Sequence, residues 1–265
     1  MRLKIRTRAI ALIAIFALAI AVVIDALLVE PRWIEVTHHV VPTRLTKPLK
    51  IVHLTDFHTY GAGTVELEML RLVAAEEPDL IIITGDLISS SDAYEGCRQV
   101  LRGLHAPLGV WVVHGNHEIW APVEDECKYY KSEGSTILVN ESAEVDKGIW
   151  IAGFDDEYAG LPDLEGTLAN IPKDAFKIGL FHSPVFFDQV AGRCDVALSG
   201  HTHGGQVRLP FLNPFWLPPS CGRYVAGWYE QKGSRMYVSR GIGTSILPVR
   251  FLCRPEIAVI VLATQ

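Results

Sequence analysis

The stretch Val110-Trp-Val-Val-His-Gly-Asn-His-Glu118 passes from four apolar residues through His114 into a glycine followed by three polar side chains. A short apolar run rich in β-branched residues, bounded by Gly109 and Gly115, reads as a buried strand. The same pattern occurs twice upstream. Leu49-Lys-Ile-Val-His-Leu-Thr55 alternates and ends in Asp56, with His58 two residues on, and Asp79-Leu-Ile-Ile-Ile-Thr84 is a continuous apolar run ending in Gly85-Asp86. Helical patterns separate them. The first has Thr64 as its N-cap, Leu67, Leu70 and Ala74 along one face, and Pro78 closing it. The second opens with Asp92 and Glu95 in capping-box spacing and carries Cys97, Val100, Leu101 and Leu104 as its apolar stripe. Three strand–helix units in succession place Asp56, Asp86 and Asn116 on one edge of a sheet, where open α/β sheets collect their ligands.

Beyond a helix from Pro122 to Ser132 that ends at Gly134, the pattern turns to short strands. These are Ser135 to Val139, Gly148 to Gly153, Ala175 to Phe181, Asp195 to Ser199, Met236 to Ser239 and Glu256 to Leu262. Phe176-Lys-Ile-Gly-Leu-Phe181 delivers His182, and Val196-Ala-Leu-Ser199 delivers Gly200-His201-Thr202-His203. A second sheet packed on the first lets both halves point side chains at one rim. The expected fold is a four-layer α/β/β/α sandwich of two packed mixed sheets, with no internal repeat.

Taken alone, Gly-Asn-His is a turn and Asp-x-His is a chance pair. Together, each at a strand exit, the blocks make a donor set for two divalent cations about 3.5–4 Å apart, which need a bridging carboxylate and one-sided imidazole and oxygen ligands. Asp86 is the natural bridge, arriving after a glycine that leaves room for metal approach. Asp56 and His58 can turn toward one ion, His201 and His203 can serve one ion each, Asn116 offers an amide oxygen, and His182 an imidazole. Such a pair brings a bridging water's pKa near neutrality, so that hydroxide can attack phosphorus in line. His117 is then the candidate general acid for the leaving oxygen, with Asp56 or Glu118 to orient it.

In order, type and approximate spacing, these blocks resemble the calcineurin-like metallophosphoesterase superfamily from Leu49 to the C-terminus. The resemblance implies a first metal on Asp56, His58, Asp86 and His203, a second on Asp86, Asn116, His182 and His201, and catalysis by His117. The two divalent ions would be Mn, Zn or Fe. The N-terminus makes the chain similar to the membrane-associated bacterial branch, which includes phosphodiesterases and enzymes that cleave UDP-2,3-diacylglucosamine. The soluble enzymes of that lipid step carry Arg where this chain has His117. The expected reaction is hydrolysis of a phosphodiester or pyrophosphate bond, lipid-linked substrates among them. A phosphomonoesterase and a catalytically silent metal-binding interaction module are the alternatives.

Arg2, Lys4, Arg6 and Arg8 precede an uninterrupted apolar run from Ala9 to Ile24, then Asp25 and the apolar Ala26 to Val29. About 20 apolar residues can just span a bilayer, and the A-x-A spacings lie inside the run, so an uncleaved single-pass anchor is expected over residues 1–30. Residues 31–48 then read as linker and edge strand, and 49–265 as the metallophosphoesterase domain. Basic residues before the run, against Glu30, Arg32 and Glu35 after it, put the domain outside the cytoplasm. UDP-linked precursors are cytoplasmic, so sidedness and that substrate pull apart.

The 265 residues are 49% hydrophobic and 20% charged, with a net charge of −6 and a pI near 5.9. That balance argues against a nucleic-acid partner, which calls for clustered Lys and Arg. The expected partners are the phosphoester or pyrophosphate substrate and membrane lipid. Cys97, Cys127, Cys194, Cys221 and Cys253 have no C-x-x-C spacing and read mainly as buried small hydrophobes. His38, His39, His53 and His105 read as structural, while His114 could face the site or the core. Finally, the segment from Gly204 to Gly233 mixes Phe211, Phe215, Trp216, Tyr224, Trp228 and Tyr229 with prolines and shows no regular period. It reads as a rigid apolar wall packed across the sheet edge, or with Phe211, Phe215 and Trp216 contacting lipid or an acyl substrate.

Overall fold

In the computed structural model, which describes residues 2–264, the apolar runs are strands and the stretches between them carry the helices. The chain runs through α1 (Arg2–Ile24), a π turn (Asp25–Val29) and a 3-10 turn (Glu30–Arg32) into β1 (Glu35–Thr43) and β2 (Leu49–Leu54). Next come α2 (Thr64–Ala75), β3 (Leu80–Thr84), α3 (Tyr94–Leu101), β4 (Val110–Val113), α4 (Asn116–Trp120), α5 (Glu126–Ser132) and β5 (Ser135–Ile137). The second half adds β6 (Glu141–Asp146), β7 (Ile149–Gly153), α6 (Leu164–Leu168), β8 (Phe176–Leu180), α7 (Phe187–Val190), β9 (Val196–Ser199), β10 (Gly227–Gln231), β11 (Ser234–Val238) and β12 (Glu256–Thr264).

Two six-stranded sheets result, ordered β1-β12-β2-β3-β4-β5 and β10-β11-β9-β8-β7-β6. In the first, β2 to β5 are parallel and β12 is antiparallel to β2, with β1 parallel to β12 at the edge. In the second, β7, β8, β9 and β11 are parallel between antiparallel edges β6 and β10. Both sheets are mixed. Side-chain alternation divides the core. Leu80 and Ile82 of β3 join Ile51 and Ile260 against Ile178, Leu180 and Leu198 of the second sheet. Ile81 and Ile83 face the other way, onto Met69, Val73, Val100 and Leu101 of α2 and α3. Phe154, Phe181, Phe186, Phe187 and Tyr224 fill the layer outside the second sheet. Each such fully buried side chain contributes about 1.5–3 kcal/mol relative to exposure. The packing is the expected sandwich.

Local signals were less faithful than the apolar runs. Thr64 is the first helical residue and not the cap; the cap is Gly63, whose N–H donates to Glu66 Oε2 at 3.0 Å. Asp92 sits in a 3-10 turn and takes the Ser90 hydroxyl, so α3 begins two residues later. The helix expected from Pro122 starts only at Glu126, capped by Asp125. Strands β6 and β10 were not anticipated: Glu141-Ser-Ala-Glu-Val-Asp146 is a polar edge, and Gly227-Trp-Tyr-Glu-Gln231 lies inside the aromatic segment. Pro42 falls within β1, at a sheet edge where a missing N–H is tolerated.

All five cysteines are free, four buried and Cys127 exposed. The apolar side chains of α1, among them Ile10, Leu12, Phe16 and Leu18, are exposed, and this helix is long and apolar enough to cross a membrane.

Candidate metal centre

The proposed ligands sit where strands end and the backbone turns hard. Asp56 follows β2, Asp86 follows β3, His182 follows β8, and His201 and His203 follow β9. Asp56, His58, Asp86, His201 and His203 have φ between +47° and +71°. Left-handed backbone costs a non-glycine residue roughly 1–2 kcal/mol, and it persists only where the surroundings enforce it, typically at functional sites.

Those surroundings are specific. The N–H groups of Asp56 and His58 donate to the Gly85 and Asp86 carbonyls, both at 3.0 Å, and Gly243 N–H donates to the Asp56 carbonyl at 2.7 Å. The Glu118 carboxylate accepts the N–H groups of Asp86, Leu87 and Gly115, each at 2.8 Å. A Cβ on Gly115 would stand 2.2 Å from Asp86 Oδ1, and one on Gly85, whose φ is +81°, would stand 2.2 Å from Gly115 N. The two glycines let neighbouring loops touch. Gly85 therefore makes room for the next loop, where the sequence suggested it made room for an ion.

Among the described residues three triads of donors emerge: Asp56, His58 and His203; His58, Asp86 and His117; and Asp86, His182 and His201. Asp86 Oδ2 lies 3.3 Å from His182 Nε2 and 3.6 Å from His58 Nε2. His203 Nε2 is 3.3 Å from Asp56 Oδ1 and 3.1 Å from His58 Nε2. Asn116 is buried between Gly115 and His117, and its amide oxygen has no partner; Asp56 Oδ1 likewise accepts no hydrogen bond.

Hydrogen bonds behind the rings decide which nitrogens face inward. His182 Nδ1 bonds the Thr84 carbonyl at 2.6 Å, and His201 Nε2 bonds the Pro219 carbonyl at 2.7 Å. A carbonyl only accepts, so both outer nitrogens carry protons. The inner atoms, His182 Nε2 and His201 Nδ1, then meet at 3.0 Å as two lone pairs. A divalent cation satisfies both; otherwise a proton must lie between them. Such outward hydrogen bonds are the usual second support of histidine ligands.

Electrostatics agree for three of the rings; at His182 burial opposes the charge, but Asp86 and Asp56 hold its pKa well above the ordinary histidine value, so there a cation would take the place of a proton. Burial pushes His58 and His201 down to about 4 and His203 well below its ordinary value, leaving lone pairs free to bind metal. Burial, with the Asp86 charge added, pushes Asp56 up to about 7 despite the pull of His182. Asp86 goes the other way: burial opposes its ionisation, but His182, His58 and His117 hold it below the ordinary carboxylate range. The orphaned oxygens, facing nitrogens and crowded carboxylates fit divalent cations.

His117 is half-buried, with its ring edge-on to His58 at 4.7 Å between centroids. Its Nδ1 bonds the Ser89 carbonyl at 3.1 Å, so this carbonyl orients the ring, and neither Glu118 nor Asp56 does. His114, placed by sequence at either site or core, clips two elements together. Its ring bonds Glu126 at 2.8 Å and Asp155 at 3.1 Å, and although burial opposes it, these contacts carry its pKa up to about 10. Buried Asp156 was missed; it takes the Ser183 hydroxyl at 2.5 Å and the Tyr158 and Ala159 N–H groups. No local motif marks it, nor the carbonyls of Ser89, Thr84 and Pro219. Phe211, Phe215 and Trp216 stand exposed and outside the donor cluster; the last two line a small apolar hollow with Ile246 and Leu247. A groove of about 720 Å³ is lined by His58 and His117, by Tyr60 and Leu247, and by Leu27 and Arg32 in the turns that follow α1.

Known proteins resemble this chain in sequence. The uncharacterized metallophosphoesterase YkuE of Bacillus subtilis (strain 168) is 35% identical over 255 residues, covering 88% of this chain and 87% of its own. Phosphodiesterase YaeI of Escherichia coli (strain K12) is 30% identical over 251 residues, covering 87% and 89%. A transmembrane protein with metallophosphoesterase domain from Bos taurus is 31% identical over 253 residues, covering 86% of this chain and 56% of its own. Residues 49–205 match the family model for calcineurin-like phosphoesterase. On this match and on the donor cluster beneath it, the chain is a metallophosphoesterase of the calcineurin-like phosphoesterase family.

Proposed function

We propose that the protein hydrolyses a phosphodiester or pyrophosphate bond with two divalent cations. The observation that carries the reading is Asp86 Oδ2, placed between His182 and His58 and so shared by two donor triads. Asp56, His58, Asp86 and His203 would hold one ion, and Asp86, Asn116, His182 and His201 the other. When bound, the ions would provide a nucleophile from water at neutral pH and neutralise charge on the phosphoryl oxygens. His117 gives the leaving oxygen its proton, its ring fixed by the Ser89 carbonyl. Glu118 keeps the Asp86 loop in register with Gly115.

A single-pass anchor through α1 is supported by its length, its exposed apolar surface and the transmembrane description of the bovine relative. The groove that reaches Leu27 supports a lipid-linked substrate. UDP-2,3-diacylglucosamine would require the domain on the cytoplasmic side, whereas the charge bias around α1 favours the opposite side. Labelling the domain in intact cells with a membrane-impermeant reagent chooses between these substrates. Metal analysis of the purified chain, with turnover of bis-p-nitrophenyl phosphate and p-nitrophenyl phosphate, tests the reaction. Faster diester turnover is expected; bound metal with no turnover on either compound would leave a silent scaffold.

A further inference from the structure

We infer that the metal-bearing edge of the domain rests on the bilayer that α1 enters, with residues 206–216 and 244–252 as the docking surface. This rests on α1 being a membrane anchor. The topology supplies the first argument. Strand β2 ends at Leu54, just before Asp56, β12 runs antiparallel to it, and β1 runs parallel to β12 with Glu35 opposite Glu256. Strand β1 therefore begins at the edge where β2 ends, and the chain leaving α1 joins the fold at the metal rim.

The joint between them is short and tied down. Arg250 N–H donates to the Ala26 carbonyl at 3.0 Å, and the buried Glu30 carboxylate takes the N–H groups of Leu252, at 2.8 Å, and Cys253. Arg250 itself is fully buried, its guanidinium donating to the carbonyls of Arg240, Gly241, Gly243 and Cys253. Gly243 in turn holds Asp56. A handful of hydrogen bonds thus couples the turn that follows α1 to Asp56 and ties the rim to the end of the anchor.

The surface around that joint is apolar. Phe211 is fully exposed, Ile246 is 76% exposed, and Phe215, Leu247 and Leu252 are more than half exposed. Their two loops are one unit: Arg208 N–H donates to the Phe251 carbonyl and Phe251 N–H to the Gln206 carbonyl, both at 2.8 Å. Phe211, Ile246 and Leu252 all have positive φ. For a β-branched or bulky residue such backbone is a genuine outlier, so conformational energy is spent presenting apolar side chains outward. A contiguous apolar patch rich in aromatics, continuous through Leu247 and Leu27 with an exposed apolar helix, matches the interfacial zone of a bilayer. The groove to His117 then opens at headgroup level, where an amphiphilic phosphoester reaches the donors without leaving the membrane.

The test uses the full chain reconstituted in phosphatidylcholine vesicles. In a Cys127→Ser background, which removes the exposed thiol, a fluorophore is placed by Phe211→Cys, Ile246→Cys or, at the opposite pole, Lys147→Cys. Lipids carrying a nitroxide high on the acyl chain act as quencher. Quenching at 211 and 246 about threefold or more above that at 147 is expected for side chains seated a few ångströms into the interface. Equal, low quenching at all three positions in protein that floats with the vesicles would overturn the docked rim and leave the anchor standing. Failure to float would remove the anchor reading, and the inference with it.

Discussion

At the scale of single residues, His117 and Gly115 separate chemistry from construction. His117 belongs to the donor cluster, yet its ring is steered from outside by a carbonyl, as the proposed proton donor would require. His117→Asn is expected to lower kcat by roughly 10²–10⁴-fold while metal content, read by elemental analysis, stays at the wild-type value. Gly115→Ala makes the opposite kind of damage. The added methyl meets Asp86 Oδ1, so the variant should lose bound metal and activity together, with the remaining fold intact by far-UV circular dichroism. The residues that carry donors were legible in the sequence because each immediately follows a strand whose apolar pattern is unmistakable. Their supports were not: Ser89, Thr84 and Pro219 act through main-chain oxygens, which any residue type possesses.

Among the elements, β12 shows what pattern reading reaches and where it stops. Its apolar run announced a strand, but its first residue, Glu256, gives no sign of its task. Buried at the catalytic edge, Glu256 accepts the Thr37 and Tyr237 hydroxyls at 2.7 Å and pairs with Arg240 at 3.2 Å, joining β1, β11 and β12. Burial opposes its charge, but Arg240 and the Tyr237 hydroxyl hold its pKa below the ordinary glutamate value. A depressed folded-state pKa means stability that is complete above the unfolded value and lost as pH falls through the folded one. Glu256→Gln should therefore cost about 1–3 kcal/mol at neutral pH, and the gap from wild type should shrink below pH about 4, as read from urea midpoints at both pH values. Edge strands β6 and β10 escaped notice for a related reason: one is polar on an exposed margin, the other hides its alternation among aromatics.

For the molecule as a whole, the two sheets are joined at the rim by shared donors. Asp56 and His58 meet His203, and Asp86 meets His182 and His201, so each ion would draw on both sheets. Chelation should loosen that seam. At free metal about 100-fold above Kd, binding contributes about 2.7 kcal/mol, so removal should lower Tm by roughly 5–10 °C, with recovery on adding metal back; an unchanged Tm in calorimetry would show that the donors bind nothing. The overall architecture was legible because a strand buried on both faces has almost no other reading. The tie between α1 and the rim was not, since Arg250 meets Ala26 and Glu30 meets Cys253 across more than 220 positions of chain.

The division of donors between sheets also has a temporal consequence. Neither triad of purely structural ligands is complete until His203 or His201 has joined its partners, nearly 150 residues after Asp56 was made. A nascent chain holds only part of either set, so the metals it would keep are expected to be those of the compartment in which folding finishes, and metal analysis of protein folded with different divalent ions would check this.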